Sequence, residues 1–248
     1  MIEVRNISKS FGQKQVLKNV SLLAEQGKTT LVIGGSGQGK TVLMRSIVGL
    51  EEVDSGAIFY DSRNFSEMKI KQRKEIRKEM GMLFQGSALF DSQSVEENVA
   101  FPLSMFTEMS EEEKRDRVNF CLKCVHLENV NHLFPSEISG GMKKRVGIAR
   151  AIALSPKYLF CDEPNSGLDP LTSQVIDDLI REITLEFNIT TIVNTHDMNS
   201  VMSIGDKIIF IYKGQKWWEG TSKEILTADN KEVSAFVGTA KVLKELRK

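Results

Sequence analysis

Apolar and polar residues alternate at the start of the chain, where residues 2–7 read IEVRNI, and this period of two predicts a half-buried strand. A second strand is predicted over about residues 16–24. A third, at residues 30–33, is apolar enough to lie inside a sheet and leads directly into a glycine-rich loop. The sequence KTVLMRSIVGL then has helical periodicity and predicts a helix that ends near Gly49.

The middle of the chain has the pattern of helices. Residues 66–80 carry opposite charges three and four positions apart, which favours a solvent-exposed helix over a binding patch. After them, MGMLFQ predicts a strand. Residues 94–150 are mainly helical in pattern, with interruptions at Pro102 and at the turn LFPSEISGG, and we interpret them as an inserted helical subdomain.

Strands and helices alternate again from Lys157 onward. The pattern predicts a strand at YLFCD, a helix over about residues 171–187, and strands at TTIVNT and KIIFIY. The segment YKGQKWWEG predicts a hairpin, and two further helices are predicted to begin near Ser222 and near Asn230. Buried strands that alternate with helices indicate a parallel sheet with helices on its faces, which predicts an α/β protein.

Size, composition and charge restrict the possible function classes. The 248 residues suffice for one large α/β domain, and 41% hydrophobic and 27% charged residues are ordinary for a globular protein. With 33 basic and 33 acidic residues, the chain has no electrostatic footprint for nucleic acid. No apolar run reaches the roughly 20 residues of a membrane-spanning helix and no secretory signal is recognisable, so we expect a cytoplasmic protein whose membrane role depends on a partner.

Two cysteines, Cys121 and Cys124, lie three positions apart in a stretch with helical periodicity. A CxxC pair is compatible with a redox pair or with half of a metal site. It is equally compatible with two small apolar residues on a buried helix face. Because the sequence has no second cysteine pair and no histidine cluster with ligand spacing, we favour the packing interpretation.

The loop GGSGQGKT fits the pattern GxxxxGK[ST] between a buried strand and a helix, the context in which that pattern binds nucleotide phosphates. Glycines let the backbone wrap a phosphate chain, and helix N-terminal amides point toward its charge. Lys40 would bridge the β- and γ-phosphates and the Thr41 hydroxyl would ligate Mg²⁺. The alternative is a glycine-rich turn beside a lysine. The residues expected at the nucleotide are Gly34, Gly35, Ser36, Gly37, Gln38, Gly39, Lys40, Thr41 and Val42.

Two adjacent carboxylates, Asp162 and Glu163, end the predicted strand KYLFCD, at the edge of the sheet where ligands of open α/β sheets bind. We expect Asp162 to hold Mg²⁺ and Glu163 to orient or deprotonate the attacking water. The alternative is an acidic N-cap for the following helix. Beside a phosphate loop, the catalytic interpretation is favoured.

A histidine, His196, follows the predicted strand TTIVNT and is expected at the same edge of the sheet. There it could donate a hydrogen bond to the γ-phosphate or to the attacking water, although a single histidine is more often structural. His126 and His132 have no comparable setting and are interpreted as surface or packing residues.

Over nearly its whole length the chain resembles the nucleotide-binding subunit of ATP-binding-cassette (ABC) transporters. Its motifs occur in the family's order. The phosphate loop, the carboxylate pair and His196, which matches the family's switch histidine, are three of these motifs. Phe11 matches the adenine-stacking aromatic residue, with Val16 in the same nucleotide-contacting region, and Gln85 matches the glutamine that senses the γ-phosphate and contacts the metal. Residues 138–142, with Ser139, Gly140 and Gly141, match the signature sequence, and residues 166–169 match the dimer loop.

The resemblance implies an α/β P-loop NTPase fold with a parallel-sheet core, an N-terminal antiparallel β subdomain and an inserted helical subdomain. Residues 1–93 and 151–220 would form the core with its β subdomain, residues 94–150 the helical subdomain, and residues 221–248 C-terminal helices. ATP and Mg²⁺ are the implied ligands, and Gln85, Glu163, His196 and Lys40 the implied catalytic residues.

The resemblance also implies the partners. In the ATP-bound state two copies would form a head-to-tail homodimer, with each ATP between the phosphate loop of one chain and the Ser139-Gly140-Gly141 turn of the other. An integral-membrane permease would place the chain peripherally on the inner face of the cell membrane. The apolar segment at residues 99–106 would line the groove that accepts a cytoplasmic helix of that permease, whereas its composition alone indicates core.

Two residues depart from the broad family pattern. Met142 stands where the signature usually ends in glutamine, and Asn165 replaces the more usual threonine after DEP. Met142 removes a side-chain hydrogen-bonding group but leaves the backbone donors of the turn intact. Neither residue supplies atoms that hydrolysis needs, so we expect a competent ATPase.

The cargo is suggested by a narrower resemblance. The sequences GMLFQGSALFDSQSVEENVAFPL and SGGMKKRVGIARAIAL look like the ATPases of bacterial MCE-type lipid transporters, the maintenance-of-lipid-asymmetry (Mla) group. This resemblance implies phospholipid transport with MCE-type lipid-carrying partners. Two alternatives stay open, namely transport of another solute and a non-transport ABC protein that drives a cell-envelope or assembly complex.

Overall fold

The computed structural model describes residues 1–238; the last part of the predicted C-terminal helical region, residues 239–248, lies outside the described residues. The strands are β1 (Ile2–Phe11), β2 (Lys14–Ala24), β3 (Thr29–Ile33), β4 (Ser55–Tyr60), β5 (Arg63–Asn64), β6 (Met80–Leu83), β7 (Tyr158–Asp162), β8 (Thr190–Thr195), β9 (Lys207–Tyr212) and β10 (Gln215–Gly220). The helices are α1 (Lys40–Ile47), α2 (Ile70–Lys78), α3 (Val95–Phe106), α4 (Glu111–Cys124), α5 (Gly140–Ile152), α6 (Pro170–Glu186), α7 (Met198–Ile204) and α8 (Lys231–Gly238).

The strands form two sheets. One has the order β2-β1-β4-β5 and is antiparallel, and the other has the order β10-β9-β3-β8-β7-β6. In the second sheet, every pairing from β9 to β6 is parallel and only the edge strand β10 is antiparallel. This arrangement confirms the predicted α/β fold around a parallel sheet.

Alternation along the parallel strands divides the apolar core in two. On β3, Leu31 and Ile33 pack with the helices α3 to α7, whereas Val32 packs with α1 and the antiparallel sheet. The same alternation separates Leu159 from Phe160 on β7. Successive side chains of a strand point to opposite faces, so a strand buried on both faces is apolar at nearly every position.

Pro102 does not interrupt the helical region, contrary to the sequence-based expectation. It lies inside α3, which runs from Val95 to Phe106. Ser94 and Glu97 close the start of this helix with reciprocal hydrogen bonds, and Val99 is among the residues fully buried on its inner face. Capping and burial offset the backbone hydrogen bond that a proline cannot make.

Several local elements differ from the sequence-based expectation. Helix α7 was not predicted, because it has only seven residues and depends on the Asp197 side chain, which accepts from Asn199 N at its start. Strand β4 was also not predicted. The helix predicted near Ser222 is instead a short 3₁₀ turn at Glu224–Thr227, while α8 begins next to the predicted Asn230.

Within residues 1–238, no helix is long and apolar enough to cross a membrane.

Candidate nucleotide-binding and hydrolysis site

The carboxyl ends of four parallel strands bring the predicted site residues to one edge of the sheet. The glycine-rich loop follows β3, Gln85 follows β6, Asp162 ends β7 and His196 follows β8. Strands β3, β8, β7 and β6 are consecutive neighbours in the sheet. Residues far apart in sequence therefore share the edge at which α/β proteins bind their ligands.

The phosphate loop has a backbone that requires glycine at its ends. Gly34 has a φ of +147°, and a Cβ at this position would lie 2.3 Å from the carbonyl oxygen of Ile211. Gly39 has a φ of +105° and packs against the backbone of Val16, 3.2 Å from where its Cβ would be. These close contacts keep the loop tightly wrapped at the start of α1, where helix N-terminal amides are suited to bind an anion.

Lys40 is held inside this loop. Its Nζ donates to Gly34 O at 2.9 Å and to Gly35 O at 3.2 Å, and lies 3.9 Å from Glu163 Oε1. Burial lowers the pKa of Lys40, and the nearby carboxylates of Glu163 and Asp162 oppose that shift. The ammonium thus faces the space enclosed by the loop, with loop carbonyls and the Glu163 carboxylate around it.

The β1–β2 hairpin borders the same loop. Val16 contacts Gly39, and Phe11, at the end of β1, has 46% of its surface exposed, with Lys9 Nζ 5.2 Å from the ring centre. Gln38 has a contact that the sequence did not indicate: its side-chain oxygen accepts from Lys213 N at 2.6 Å, in the turn between β9 and β10. The loop is therefore anchored on both sides by hairpins.

The carboxylate Asp162 is tied to the phosphate loop through Asn194, a fully buried residue of β8. Asn194 Nδ2 donates to Asp162 Oδ1 and to Lys40 O, both at 3.1 Å. Sequence reasoning missed Asn194. Its signal was a polar residue inside the otherwise buried strand TTIVNT.

Glu163 forms a direct pair with His196. The distance from Glu163 Oε2 to His196 Nδ1 is 2.7 Å, with the glutamate side chain 15% exposed and the imidazole 66% exposed. Glu163 adopts a φ of +49°, unusual for a residue with a side chain, and its N–H donates to Asn194 O at 2.9 Å. The N-cap of the next helix is Asp169, so the alternative that this acidic pair is a helix cap is wrong.

Gln85 lies beside the dimer-loop residue Ser166, to which its side-chain Nε2 donates at 3.2 Å. Its backbone oxygen accepts from Lys144 Nζ, and the same Nζ lies 3.5 Å from Glu163 O. Lys144 is 4% exposed, and burial lowers its pKa. Sequence reasoning missed this lysine, which joins α5 to the loops that carry Gln85 and Glu163.

The signature turn forms the start of α5. Ser139 is the N-cap, and its hydroxyl accepts from Met142 N at 3.2 Å. Gly141 packs so closely on α6 that a Cβ would lie 2.6 Å from Thr172 Cγ2. Ser139 and Gly140 are exposed, so the N-terminal amides of α5 are open to an anion from outside the chain.

The other candidate groups do not form a site. Cys121 is fully buried and Cys124 partly buried on α4, and both thiols are free. Burial raises the pKa of Cys121 to about 12, which favours the packing interpretation over a redox role. His126 and His132 are exposed. Within residues 1–238, no cluster of three or more His, Cys, Asp or Glu residues is arranged to hold a metal ion.

Comparison with known proteins identifies this arrangement. The family model for ABC transporters matches residues 17–166, which include the phosphate loop, Gln85, the signature turn and both carboxylates. The chain belongs to the ABC transporter family. It is 38% identical to the methionine import ATP-binding protein MetN of Campylobacter jejuni, over 99% of this chain and 78% of the relative.

Two further relatives have other assigned cargoes. The intermembrane phospholipid transport system ATP-binding protein MlaF of Haemophilus influenzae is 38% identical over 96% of this ABC protein and 90% of the relative. The probable ribonucleotide transport ATP-binding protein mkl of Mycobacterium leprae is 36% identical over 97% of the chain and 70% of the relative. The chain is therefore the ATP-binding subunit of an ABC transporter, and these relatives do not agree on a substrate.

Solved structures agree with the ABC fold. The dimeric, post-hydrolysis structure of the ATP-binding cassette MJ0796, bound to ADP and Pi, matches with a TM-score of 0.81 and 32% identity, over 90% of this chain and 99% of that one. CbiO1 of Clostridium perfringens matches with a TM-score of 0.85 and 29% identity, over 100% and 98%. The protein is an ATP-hydrolysing ABC subunit, of a family whose members dimerise and work with a membrane permease.

Proposed function

We propose that this chain is a Mg²⁺-dependent ATPase that energises phospholipid movement through a separate integral-membrane permease with MCE-type lipid-carrying subunits. It would act as a homodimer on the cytoplasmic face of the membrane. The observation that supports phospholipid as the transported substrate is the 38% identity to MlaF, which extends over 90% of that relative's length. Residues 81–103 and 139–154, which resemble the Mla-type ATPases in sequence, support the same assignment.

The geometry supports specific roles in hydrolysis. Lys40 would exchange its carbonyl partners Gly34 and Gly35 for phosphate oxygens, because charge-assisted bonds to phosphate are stronger than bonds to neutral carbonyls. Glu163 would accept the proton of the attacking water, and His196 would orient the γ-phosphate or that water. Phe11 and Val16 would contact the nucleoside, and Gln85 would contact the γ-phosphate.

The donor atoms suit Mg²⁺. Asp162, the exposed Thr41 hydroxyl and the Gln85 amide oxygen are the oxygen ligands that this ion prefers. Asp162 is the only acidic residue among these three, so phosphate oxygens and water would have to complete the coordination, as in other P-loop sites. When bound, Mg²⁺ would neutralise charge that develops on the phosphates.

The proposed dimer is supported by two separate parts of a nucleotide site on one chain, the phosphate loop and the signature turn. The phosphate loop begins α1, and the exposed signature turn begins α5, between Gln85 and Glu163 in sequence. Ser139, Gly140 and Gly141 offer helix N-terminal donors with no phosphate of their own. In a head-to-tail pair these donors would receive the γ-phosphate of the ATP held by the partner.

An apolar groove beside the site is the proposed docking surface for the permease. It has a volume of about 410 Å³ and lies between β6, residues 84–90, α3 and the end of α5. Phe84, Phe90 and Phe101 line it and are each about 40% exposed. Val99, by contrast, is fully buried, so the segment at residues 99–106 contributes to both the core and the groove.

A second candidate is import of a small solute, favoured by the 38% identity to the methionine importer over 99% of this chain. Affinity purification of the chain from detergent-solubilised membranes, followed by mass spectrometry of proteins and lipids, distinguishes the two. We expect a permease, an MCE-type protein and bound phospholipid. Recovery of an amino-acid permease without an MCE-type protein would overturn the phospholipid assignment.

A further inference from the structure

A buried carboxylate outside the nucleotide site, Asp177 on α6, is only 2% exposed. Asn165 Nδ2 donates to Asp177 Oδ1 at 2.9 Å and to Ser200 Oγ at 3.0 Å. Ser203 Oγ is the weaker neighbour, 3.5 Å from Asp177 Oδ2. Asn165 is one of the two residues in which this chain departs from the broad family pattern, and this network gives it a physical role.

The network joins the two segments that carry the proposed catalytic pair. Asn165 lies two residues after Glu163, and Ser200 lies four residues after His196. On the other side, Glu163 and His196 are themselves bonded at 2.7 Å. The two segments are thus connected twice, once through the catalytic pair and once through Asn165, Asp177 and Ser200.

Above Asp177 the helices α6 and α7 separate into an open cleft of about 550 Å³. Leu171, Met198 and Met202 line this cleft together with Asp177. The cleft lies beside the apolar contacts that α6 and α7 make in the core, and the polar contacts of Asp177 at its base add a further connection between the two helices. Polar networks of this kind fix relative positions more strictly than apolar contacts do, because hydrogen bonds are directional.

We propose that Asn165, Asp177 and Ser200 form a positioning network that sets the distance between Glu163 and His196 and so controls the rate of ATP hydrolysis. None of the three is among the residues proposed to contact the nucleotide. The inference rests on the proposed catalytic roles of Glu163 and His196.

Burial makes the carboxylate costly, which argues for a function beyond stability. Burial raises the pKa of Asp177 to about 6, and Asp178 and Asp197 act in the same direction, while Ser200 and Asn165 oppose it. Cys161 is the further titratable group that faces it, from β7. A buried carboxylate held by several hydrogen bonds can specify one arrangement of the segments that it joins, even where it adds little stability.

A reciprocal exchange tests the network. Asn165→Asp alone sets two carboxylates against each other, and we expect kcat for ATP to fall about tenfold with KM nearly unchanged. Asp177→Asn alone keeps an acceptor for Asn165 and should retain most activity. The double variant restores a donor and an acceptor and should recover most of the lost kcat. The loss in Asn165→Asp should also shrink from pH 8 to pH 6, because two facing carboxylates then share a proton.

Serine variants provide a second test that does not add charge. Ser200→Ala removes the hydroxyl 3.0 Å from Asn165 and should lower kcat severalfold, whereas Ser203→Ala, at 3.5 Å, should leave it unchanged. Thermal melting verifies that each variant is folded. Equal kcat in Asn165→Asp and wild type, or an inactive but folded double variant, would overturn the proposal.

A control variant separates this proposal from the assigned function. Glu163→Gln should be inactive whatever the network does. If Glu163→Gln hydrolyses ATP normally, the catalytic assignment fails and the network proposal fails with it. If Glu163→Gln is inactive while the Asn165 and Ser200 variants keep full kcat, only the network proposal is wrong.

Discussion

Glu163 Oε2 lies 2.7 Å from His196 Nδ1, across the ends of the adjacent strands β7 and β8. A carboxylate only accepts hydrogen bonds, so the imidazole donates from Nδ1 and, when neutral, presents Nε2 as an acceptor. A neutral ring in this state has no proton to give a phosphate. Contact between His196 and a γ-phosphate therefore requires a doubly protonated ring or the release of Glu163, and release would make Glu163 available to the attacking water.

Replacing Glu163 by Gln should stop turnover while ATP still binds. Glutamine keeps the shape of the side chain but cannot accept the proton of water, so we expect kcat to fall by about 10²–10⁴. The phosphate loop is untouched, and the ATP-bound dimer should accumulate in size-exclusion chromatography with light scattering. Glu128→Gln, at an exposed position, is the matched control. Wild-type turnover in Glu163→Gln would refute its role as the base.

Replacing His196 by Ala should slow hydrolysis about tenfold or more without changing the fold, because the imidazole is exposed and its loss removes only the partner of Glu163. Steady-state ATPase rates and thermal melting measure the two effects separately. His126→Ala, also exposed and located after α4 rather than after a strand of the parallel sheet, should retain the wild-type rate. The assignment of His196 fails if both variants behave alike.

Replacing Lys40 by Ala should weaken ATP binding at least about tenfold, since charge-assisted bonds to phosphate are lost. The Lys40 ammonium donates to two loop carbonyls, at 2.9 and 3.2 Å, so the variant also frees Gly34 O and Gly35 O. Isothermal titration with ATP measures the affinity, and circular dichroism shows whether the fold persists. Undiminished affinity in a folded variant would contradict the loop assignment.

The parts of the site that sequence could predict are those set by local backbone. The loop before Lys40 needs glycines at Gly34 and Gly39 because of its own conformation, and Glu163 follows a strand recognisable from its period. Asn194 and Lys144 escaped prediction because their partners Lys40 and Gln85 are distant in sequence. Such contacts exist only once the sheet order is fixed.

Lys144 supplies a test of one of these unpredicted contacts. Lys144→Met keeps the length and the apolar stem but removes the ammonium that bonds Gln85 O and lies 3.5 Å from Glu163 O. We expect kcat to fall about tenfold with little change in ATP affinity, because both carbonyls belong to proposed catalytic loops rather than to the phosphate loop. Lys143→Met, its less buried neighbour on α5, is the control. Equal ATPase rates in the two variants would show that the contacts of Lys144 with Gln85 O and Glu163 O are not needed for hydrolysis.

The pKa of Asp177 predicts how stability depends on pH. Because its pKa in the folded chain is about 6 and its ordinary value is 3.8, the native state holds a proton between these values that the unfolded state has released. The stabilisation that the folded chain gains from this bound proton is fully present below about pH 4. It is lost as the pH rises through 6 and remains lost at higher pH. The whole change amounts to about 3 kcal/mol at most.

Asp177→Asn cannot titrate, so its stability relative to wild type should increase from pH 4.5 to pH 7.5. Urea unfolding at both pH values measures this difference, in which the titration of all other groups largely cancels. Glu128→Gln, at an exposed position that does not act on the pKa of Asp177, should give nearly the same difference from wild type at both pH values. A constant difference for Asp177→Asn as well would mean that burial does not raise the pKa of this carboxyl, and the desolvation cost assigned to the network would then be absent.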